Sequence, residues 1–368
     1  MESMALWSIF HDGVGDISSS KLIKIVKKYD IKWLFSVSET ILKKEVLEID
    51  KNKIECFIKV RNTTDVVNRI NFLTTNRIKI SIYGDENYPK KLLNIYDPPG
   101  ILYLKGGNYR DTLHIGIVGS RMATSYGKAV ALNISENLSC EDVCIVSGLA
   151  KGIDAKAHEG ALKGHGGTIG VLGTGLNIVY PKENSSLYAQ VLAHPNSLIL
   201  TEYPLNESAK PYHFPRRNRI LSGLSDGILV VEATDKSGAL ITANLAMEEG
   251  KDVFAIPGLI TSKSSVGCHR LIKDGAKLVS NKMDILEEYG QLALFNQLDL
   301  SKKKTSILLT DEEKSIYKII EEVPVAMEEI VFKANMPIHK VMSILSWLEI
   351  NDLIEQLLGR RYVRKSQN

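Results

Sequence analysis

Short apolar runs recur between Leu113 and Gly258, and each ends in Gly, Ser, Thr or a charged residue before a helical pattern begins. Runs of this kind, rich in Val and Ile and bounded by turn residues, read as strands buried on both faces. They predict strands over Ile115–Gly119, Val143–Ser147, Thr168–Leu172, Ser197–Glu202, Ile228–Glu232 and Val253–Pro257. Between them, apolar residues at helical spacing predict helices over Tyr126–Leu138, Asp154–Lys163, Ser185–Ala193 and Leu240–Glu249, with another starting at Arg216–Leu221 after a Phe-Pro turn. Asp154 has the chemistry of an N-cap. Strands alternating with helices give a parallel sheet whose functional groups sit on the loops after the strands.

The flanks have other rhythms. Residues 1–64 read as a basic helical domain. Leu22, Ile23, Val26, Tyr29, Leu34 and Phe35 make one apolar face, lysines lie opposite, and Ser18 to Ser20 supply N-cap candidates. The turn Asp12-Gly13-Val14-Gly15-Asp16 has two readings: a hairpin offering backbone N–H groups to a phosphate, or a tight corner in a small bundle. Residues 65–110 form a connector with a helix, a short strand at KISIYG and a turn-rich stretch packed against the sheet. The lysine run in 291–308 marks a linker. Residues 309–368 give three amphipathic helices and a hairpin turning at Gly359, a winged-helix pattern. Its third helix is scarcely cationic, while Arg360, Arg361, Arg364 and Lys365 cluster on the wing and tail, so DNA-backbone contact and protein contact both stay open.

Composition narrows the class. The chain has 368 residues, 44% hydrophobic and 24% charged, with a formal net charge of +3. A chain that long exceeds one ordinary core, and so weak a positive balance makes any basic footprint local. Cys56, Cys140, Cys144 and Cys268 form no CxxC pair, which suits reduced thiols and no metal site. No signal peptide or membrane-spanning run is visible, so a cytoplasmic protein is expected.

Three strand-end loops look suited to an anion. They are Gly119-Ser120-Arg121, Ser147 and Gly148 leading to Lys151, and Gly173-Thr174-Gly175 leading to Lys182. Glycine also makes ordinary tight turns, but three such loops on one edge, each with a cation, favour an anionic ligand. Arg216, Arg217 and Arg219 add planar forks suited to phosphate; three in four positions cannot share one helix face, so one or two should enter the crevice and the others should meet solvent or acids. Tyr212, His213 and Phe214 are stacking candidates, with Phe214 equally a core residue. No dinucleotide fingerprint, activated nucleophile, zinc motif or Walker lysine is present, so no cofactor and no catalytic residue is assigned. His158 reads as a local packing residue. Asp226 and Glu232 suit either acid–base work or anchoring of the arginines.

In order and spacing, IVGSR, SGLAKGIDAKAH, GTGLNIVYPKEN, FPRRNRILSGLSDGILVVEA, SGALITANLAMEEGKDVFAIPG and GCHRLIKDGA resemble the DprA/Smf DNA-processing family, over about residues 83–283. The resemblance implies an α/β fold: an extended Rossmann-like parallel-sheet core over 65–290, a small N-terminal helical domain like a sterile-alpha-motif or helix-hairpin-helix unit, and a C-terminal winged helix. It implies a non-catalytic protein that binds single-stranded DNA, forms a homodimer and loads the RecA recombinase in natural transformation, with no membrane partner. By position, it puts a phosphate on Arg121 and on Lys182, ranked above Lys151, Arg216, Arg217 and Arg219 on the same strand-end surface. The rival is a nucleotide N-glycoside hydrolase similar to the lysine-decarboxylase-like phosphoribohydrolases. Their PGGxGTxxE motif falls where this chain has ATDKSGALITA; Glu232 would be its acid–base candidate.

Overall fold

Aspartates and serines break the first 75 residues into short helices. These are α1 (Glu2–Val14), α2 (Ser19–Lys28), α3 (Ile31–Ser36), α4 (Glu39–Glu45), α5 (Lys51–Thr63) and α6 (Val66–Thr75). Asp30 accepts from the N–H groups of Lys32 and Trp33, and Asp65 from those of Val67 and Asn68, satisfying otherwise orphaned donors. The structure is a computed structural model that describes residues 1–290, 310–320, 324–334, 336–350, 353–357 and 361–364.

Two antiparallel strands follow, β1 (Ile78–Ile82) and β2 (Ile101–Gly106), with Ile80 opposite Tyr103. β2 lies in the stretch read as turn-rich packing. Its apolar run is short and hemmed by Pro98, Pro99 and Gly107, so turn signals masked it. Then come β3 (His114–Val118), α7 (Ser125–Ser139), β4 (Cys144–Ser147), α8 (Ile153–Ala161), β5 (Thr168–Val171), α9 (Ser185–Ala193) and β6 (Leu198–Thr201). After these run α10 (His213–Leu224), β7 (Gly227–Val230), α11 (Gly238–Glu248), β8 (Asp252–Ala255), α12 (Val266–Lys273) and β9 (Lys277–Leu278).

The sheet order is β1-β2-β6-β5-β4-β3-β7-β8-β9. β3 to β9 pair in parallel, and β2 joins β6 antiparallel. From β3 the chain moves outward through β4, β5 and β6, then returns to place β7 on the other flank of β3. That reversal opens a crevice beyond the carboxyl ends of the strands. All residues of β3 to β7 are buried, as a sheet covered on both faces requires.

The N-terminal helices share a core with one sheet face: Phe10, Leu34 and Phe57 belong to the same apolar cluster as Ile80, Tyr103 and Ile199. The other face packs Leu92, Val146, Leu221, Ile228 and Leu271. Chain contacts divide the protein into Met1–Tyr289 and Gly290–Asn368. The second unit has helices Asp311–Ile319, Met327–Ala334 and Ile338–Ile350, and a sheet in which Arg361–Arg364 pairs with both Val325–Ala326 and Ile354–Leu357. It is a winged helix. Thr310 and Glu313 close its first helix with a capping box. The linker 291–308, Gly359, Arg360 and Lys365 lie outside the described residues. No described helix is long and apolar enough to cross a membrane.

Candidate nucleic-acid interface

The crevice at the strand reversal encloses about 680 Å³; its walls include Ser120, Arg121, Tyr180, Phe214, Arg217 and Ser237. Its first loop is tightly determined. A side chain at Gly119 would sit 2.6 Å from Ile153 and 3.0 Å from the Glu232 carbonyl. Ser120 donates its N–H to the Glu232 carbonyl at 2.8 Å, its carbonyl accepts from Ile153 N–H at 3.2 Å, and its Oγ accepts from Met122 N–H at 3.2 Å. Ser120 therefore shapes the loop, and Arg121 is left exposed at its tip with the guanidinium 5.3 Å from the Phe214 ring centroid.

The second loop is organised around Arg217 rather than around an empty anion cradle. Ser147 is buried and donates Oγ–H to the Ile117 carbonyl at 2.7 Å. A side chain at Gly148 would lie 2.3 Å from Arg217 Nη2. Arg217 donates to the carbonyls of Gly148, at 2.9 Å, and Val171. Burial lowers its pKa to about 10, which still leaves it cationic at neutral pH. Leu149 adopts a positive φ of 52°, and its N–H donates to His158 Nε2 at 3.3 Å. With Nε2 accepting, Nδ1 carries the proton and donates to Thr168 Oγ1 at 2.7 Å; that hydroxyl donates to the Ile145 carbonyl at 2.6 Å. Burial, then the charge of Arg217, lowers His158 to about 3. Asp154 is not the N-cap. α8 starts after Gly152, whose φ is 81°, and Asp154 sits buried in its first turn, accepting from Gly148 N–H at 3.1 Å. Burial raises its carboxyl against the opposing pull of Arg217. Lys151 is exposed and pairs with Glu183 at 2.5 Å.

The third loop is filled by protein. A side chain at Gly173 would be 3.0 Å from the Phe214 ring, and the Gly173 carbonyl accepts from His213 Nδ1 at 3.1 Å. Gly175 N–H donates to the Glu207 carbonyl at 2.9 Å. Lys182 is exposed in the short 3-10 turn Lys182–Asn184. Asn184 Nδ2 ties that turn to the second loop through the carbonyls of Leu149, at 2.8 Å, and Ala150, at 3.1 Å. Tyr180 stands 5.4 Å from Phe214. Among the described residues, no carboxylate lies within ion-pair distance of Arg121 or Lys182.

The three arginines of α10 part company. Pro215 is accommodated in the helix's first turn, so α10 begins at His213, earlier than the sequence pattern suggests. Arg217 faces the crevice. Arg216 and Arg219, three residues apart on another face, turn away from it. Arg216 bonds Asp16 at 2.7 Å and the Ile17 carbonyl at 2.9 Å. Arg219 bonds Asp97 at 2.8 Å and Glu202 at 2.6 Å. Their expected place on the crevice surface is corrected: both are held by acids beside α10.

The family model described as DNA recombination-mediator protein A matches residues 79–290, and the DprA winged helix model matches 301–360. The chain is 34% identical over 390 aligned residues to Protein Smf of Synechocystis sp., covering 96% of each chain. The chain belongs to the DprA/Smf family. DNA processing protein DprA of Streptococcus pneumoniae is 48% identical over 208 residues, 56% of this chain and 72% of that protein. The X-ray structure of S. pneumoniae DprA matches with a TM-score of 0.62 at 35% identity, over 77% of this chain and 96% of that one. A DprA structure from Helicobacter pylori, concerned with that protein's single-stranded DNA binding mode, matches with a TM-score of 0.51 at 30% identity, over 58% and 96%.

In this DprA/Smf chain the acidic residues singled out from sequence are each engaged by neighbouring groups. Glu232 accepts from Thr124 N–H at 2.9 Å and Thr124 Oγ1–H at 2.5 Å, so it fastens the start of α7 to the end of β7. Asp226 takes Lys91 at 2.5 Å and His114 N–H at 2.8 Å. Neither anchors an α10 arginine. The Asp12–Asp16 turn attracts cations, not a phosphate: Lys53 donates to the carbonyls of Val14, at 2.9 Å, and Asp16. The crevice wall missed in the sequence of this DprA/Smf chain is the first turn of α11, where Ser237 accepts from Ala239 N–H at 3.3 Å and Thr242 also lines the space. The available signal was a serine directly before an apolar helical run.

Proposed function

We propose that this chain is a non-catalytic single-stranded DNA-binding protein of the cytoplasm. On this reading Arg121 and Lys182 take backbone phosphates, and Phe214 and Tyr180 offer ring faces to bases. Gly119, Ser120, Ser147, Gly148 and Gly173 shape the loops, Arg217 adds positive potential from the crevice floor, and Lys151 can exchange Glu183 for a phosphate. The core over 65–290 binds the strand, as a homodimer, and the chain loads RecA onto it during natural transformation or homologous recombination. The helical segment 1–64 and the winged helix over 309–368, joined through 291–308, modulate what the core meets.

The observation that carries this reading is Arg121: exposed, free of any carboxylate in ion-pair distance among the described residues, and poised over an aromatic ring. The single-stranded DNA binding of H. pylori DprA supports it. Glu232, engaged by Thr124 and by Ser264 Oγ at 3.4 Å, argues against hydrolysis. The test is fluorescence anisotropy with a labelled oligothymidylate across a salt series. Arg121→Ala and Lys182→Ala are each expected to lower affinity by about ten- to a hundredfold, as loss of a charged hydrogen bond implies. Each should also reduce the salt slope by about 0.7. Unchanged affinity in both variants overturns the site; base released from nucleoside monophosphates by the parent protein overturns the non-catalytic reading. RecA filament formation, followed in the same samples, should accelerate with the parent and not with the variants.

A further inference from the structure

The first turn of α10 has two occupied faces. One carries Phe214 and Arg217 into the crevice. The other carries His213 and Arg216 into the corner between α1 and α2, where Asp16 stands. Arg216 Nη1 meets Asp16 Oδ1 at 2.7 Å, Arg216 Nη2 reaches the Ile17 carbonyl at 2.9 Å, and His213 Nε2 lies 3.5 Å from Asp16 Oδ2. The corner is itself pinned by Lys53 through the carbonyls of Val14 and Asp16. His213 Nδ1 meanwhile holds the Gly173 carbonyl, and its ring stacks on Tyr203 at 4.0 Å. Asp16 thus reaches the DNA-facing turn through Arg216, beside a buried His213 Nε2 that has no hydrogen-bond partner among the described residues, while lining no part of the crevice. Burial is the largest single influence and pushes its carboxyl up, but Arg216, first by charge and then by its hydrogen bond, together with His213 and Tyr212, brings the net shift downward, so it is an anion at neutral pH.

We propose that Asp16 is a positioning residue for single-stranded DNA binding: through Arg216 it fixes the first turn of α10 and so aims Phe214 and Arg217. This rests on the DNA-binding reading of the crevice. It makes the N-terminal helices a determinant of affinity without contact with the strand. A planar guanidinium bonded to a carboxylate and a carbonyl together sets orientation in a way a point charge does not.

The sign of the effect separates this from plain electrostatics. Asp16→Asn removes a negative charge near a site for a polyanion. By long-range charge alone it should tighten binding. Positioning predicts the reverse: an about three- to tenfold loss of affinity for oligothymidylate, in the range of coupling between neighbouring groups, with the salt slope unchanged because no phosphate contact is lost. Arg216→Lys keeps the charge and loses the fork, and should weaken binding by a similar factor. The two changes combined should cost less than their product, since both break one bridge. Arg121→Ala is run beside them, with a thermal melt of every variant to establish that the protein measured is folded. If Arg121→Ala binds like the parent, the DNA-site reading falls. If Arg121→Ala weakens binding while Asp16→Asn, folded at the assay temperature, binds equally or more tightly, the positioning role is overturned. Should Asp16→Asn fail to fold, Arg216→Lys decides alone: parental affinity overturns the proposal, and a loss at parental salt slope supports it.

Discussion

Gly148 and Arg217 show how one residue type dictates another. The guanidinium occupies the space a side chain at 148 would need, 2.3 Å from Nη2, and it is fastened there by the carbonyls of Gly148 and Val171. These are ends of two neighbouring strands, so one cation closes the floor of the crevice. A methyl group added at 148 must displace a tethered, nine-tenths buried fork, since Arg217 is 4% exposed. Gly148→Ala is therefore expected to destabilise the protein by about 1–3 kcal/mol, the usual range for overpacking. Chemical denaturation reads this directly. Single-stranded DNA affinity should fall with it, because the displaced charge lies in the crevice wall. A variant as stable as the parent would mean the loop gives way freely.

At the level of elements, strand ends and helix starts around the crevice are tied to one another. Glu232, just beyond β7, receives both the N–H and the hydroxyl of Thr124, while Thr124 Oγ1 accepts from Gly127 N–H at 3.1 Å as the N-cap of α7. Glu232→Gln keeps the shape and removes the charge at the positive end of a helix. It is expected to cost about 1–2 kcal/mol in urea unfolding and to leave DNA affinity near the parental value. The same ties explain what was legible in the sequence. Local pattern was enough for the parallel strands β3 to β8 and for α9, which spans Ser185–Ala193 as expected. It was enough for the existence of the three glycine loops, and not for what fills them. Gly173 looks like Gly119 until Phe214, forty-one residues on, is seen against it. The split among Arg216, Arg217 and Arg219 depends on Asp16, Asp97 and Glu202, which come from a distant helix corner, the connector and the end of β6. β2 was hidden because its strand identity comes from the partners β1 and β6, not from its flanks. The loop pattern named Arg121 and Lys182 among several cations, the family resemblance ranked them first, and the structure adds that both are exposed.

Across the whole first unit, buried histidines tie stability to pH. His11, on α1, bonds Tyr103 Oη at 3.1 Å; His114, on β3, has Nδ1 2.9 Å from the Leu224 carbonyl and Nε2 2.9 Å from the Arg110 carbonyl, and its neutral ring donates to one of them; His158, on α8, bonds Leu149 and Thr168. Burial chiefly lowers their pKa values from 6.5 to about 3, 4 and 3. All three are essentially neutral in the folded chain above about pH 5, whereas the unfolded chain protonates them below about 6.5. The unfolded state then holds more protons, so stability falls as pH drops through that window. At pH 5 each histidine removes about 2 kcal/mol relative to pH 8, about 6 kcal/mol together, comparable to the whole stability of an ordinary domain. Asp12 and Asp154 act the other way: burial raises both, so they take protons in the folded chain first and offset the loss only as pH falls through their raised values. The expected result is a urea midpoint that is steady from pH 8 to 7 and declines continuously below about 6.5. His114→Gln should flatten that decline by about a third, even where it lowers the midpoint at pH 8, because the change in slope counts titrating groups and not lost contacts. A midpoint that stays level from pH 7 to 5 would mean that these imidazoles take up protons without unfolding the sheet that buries them.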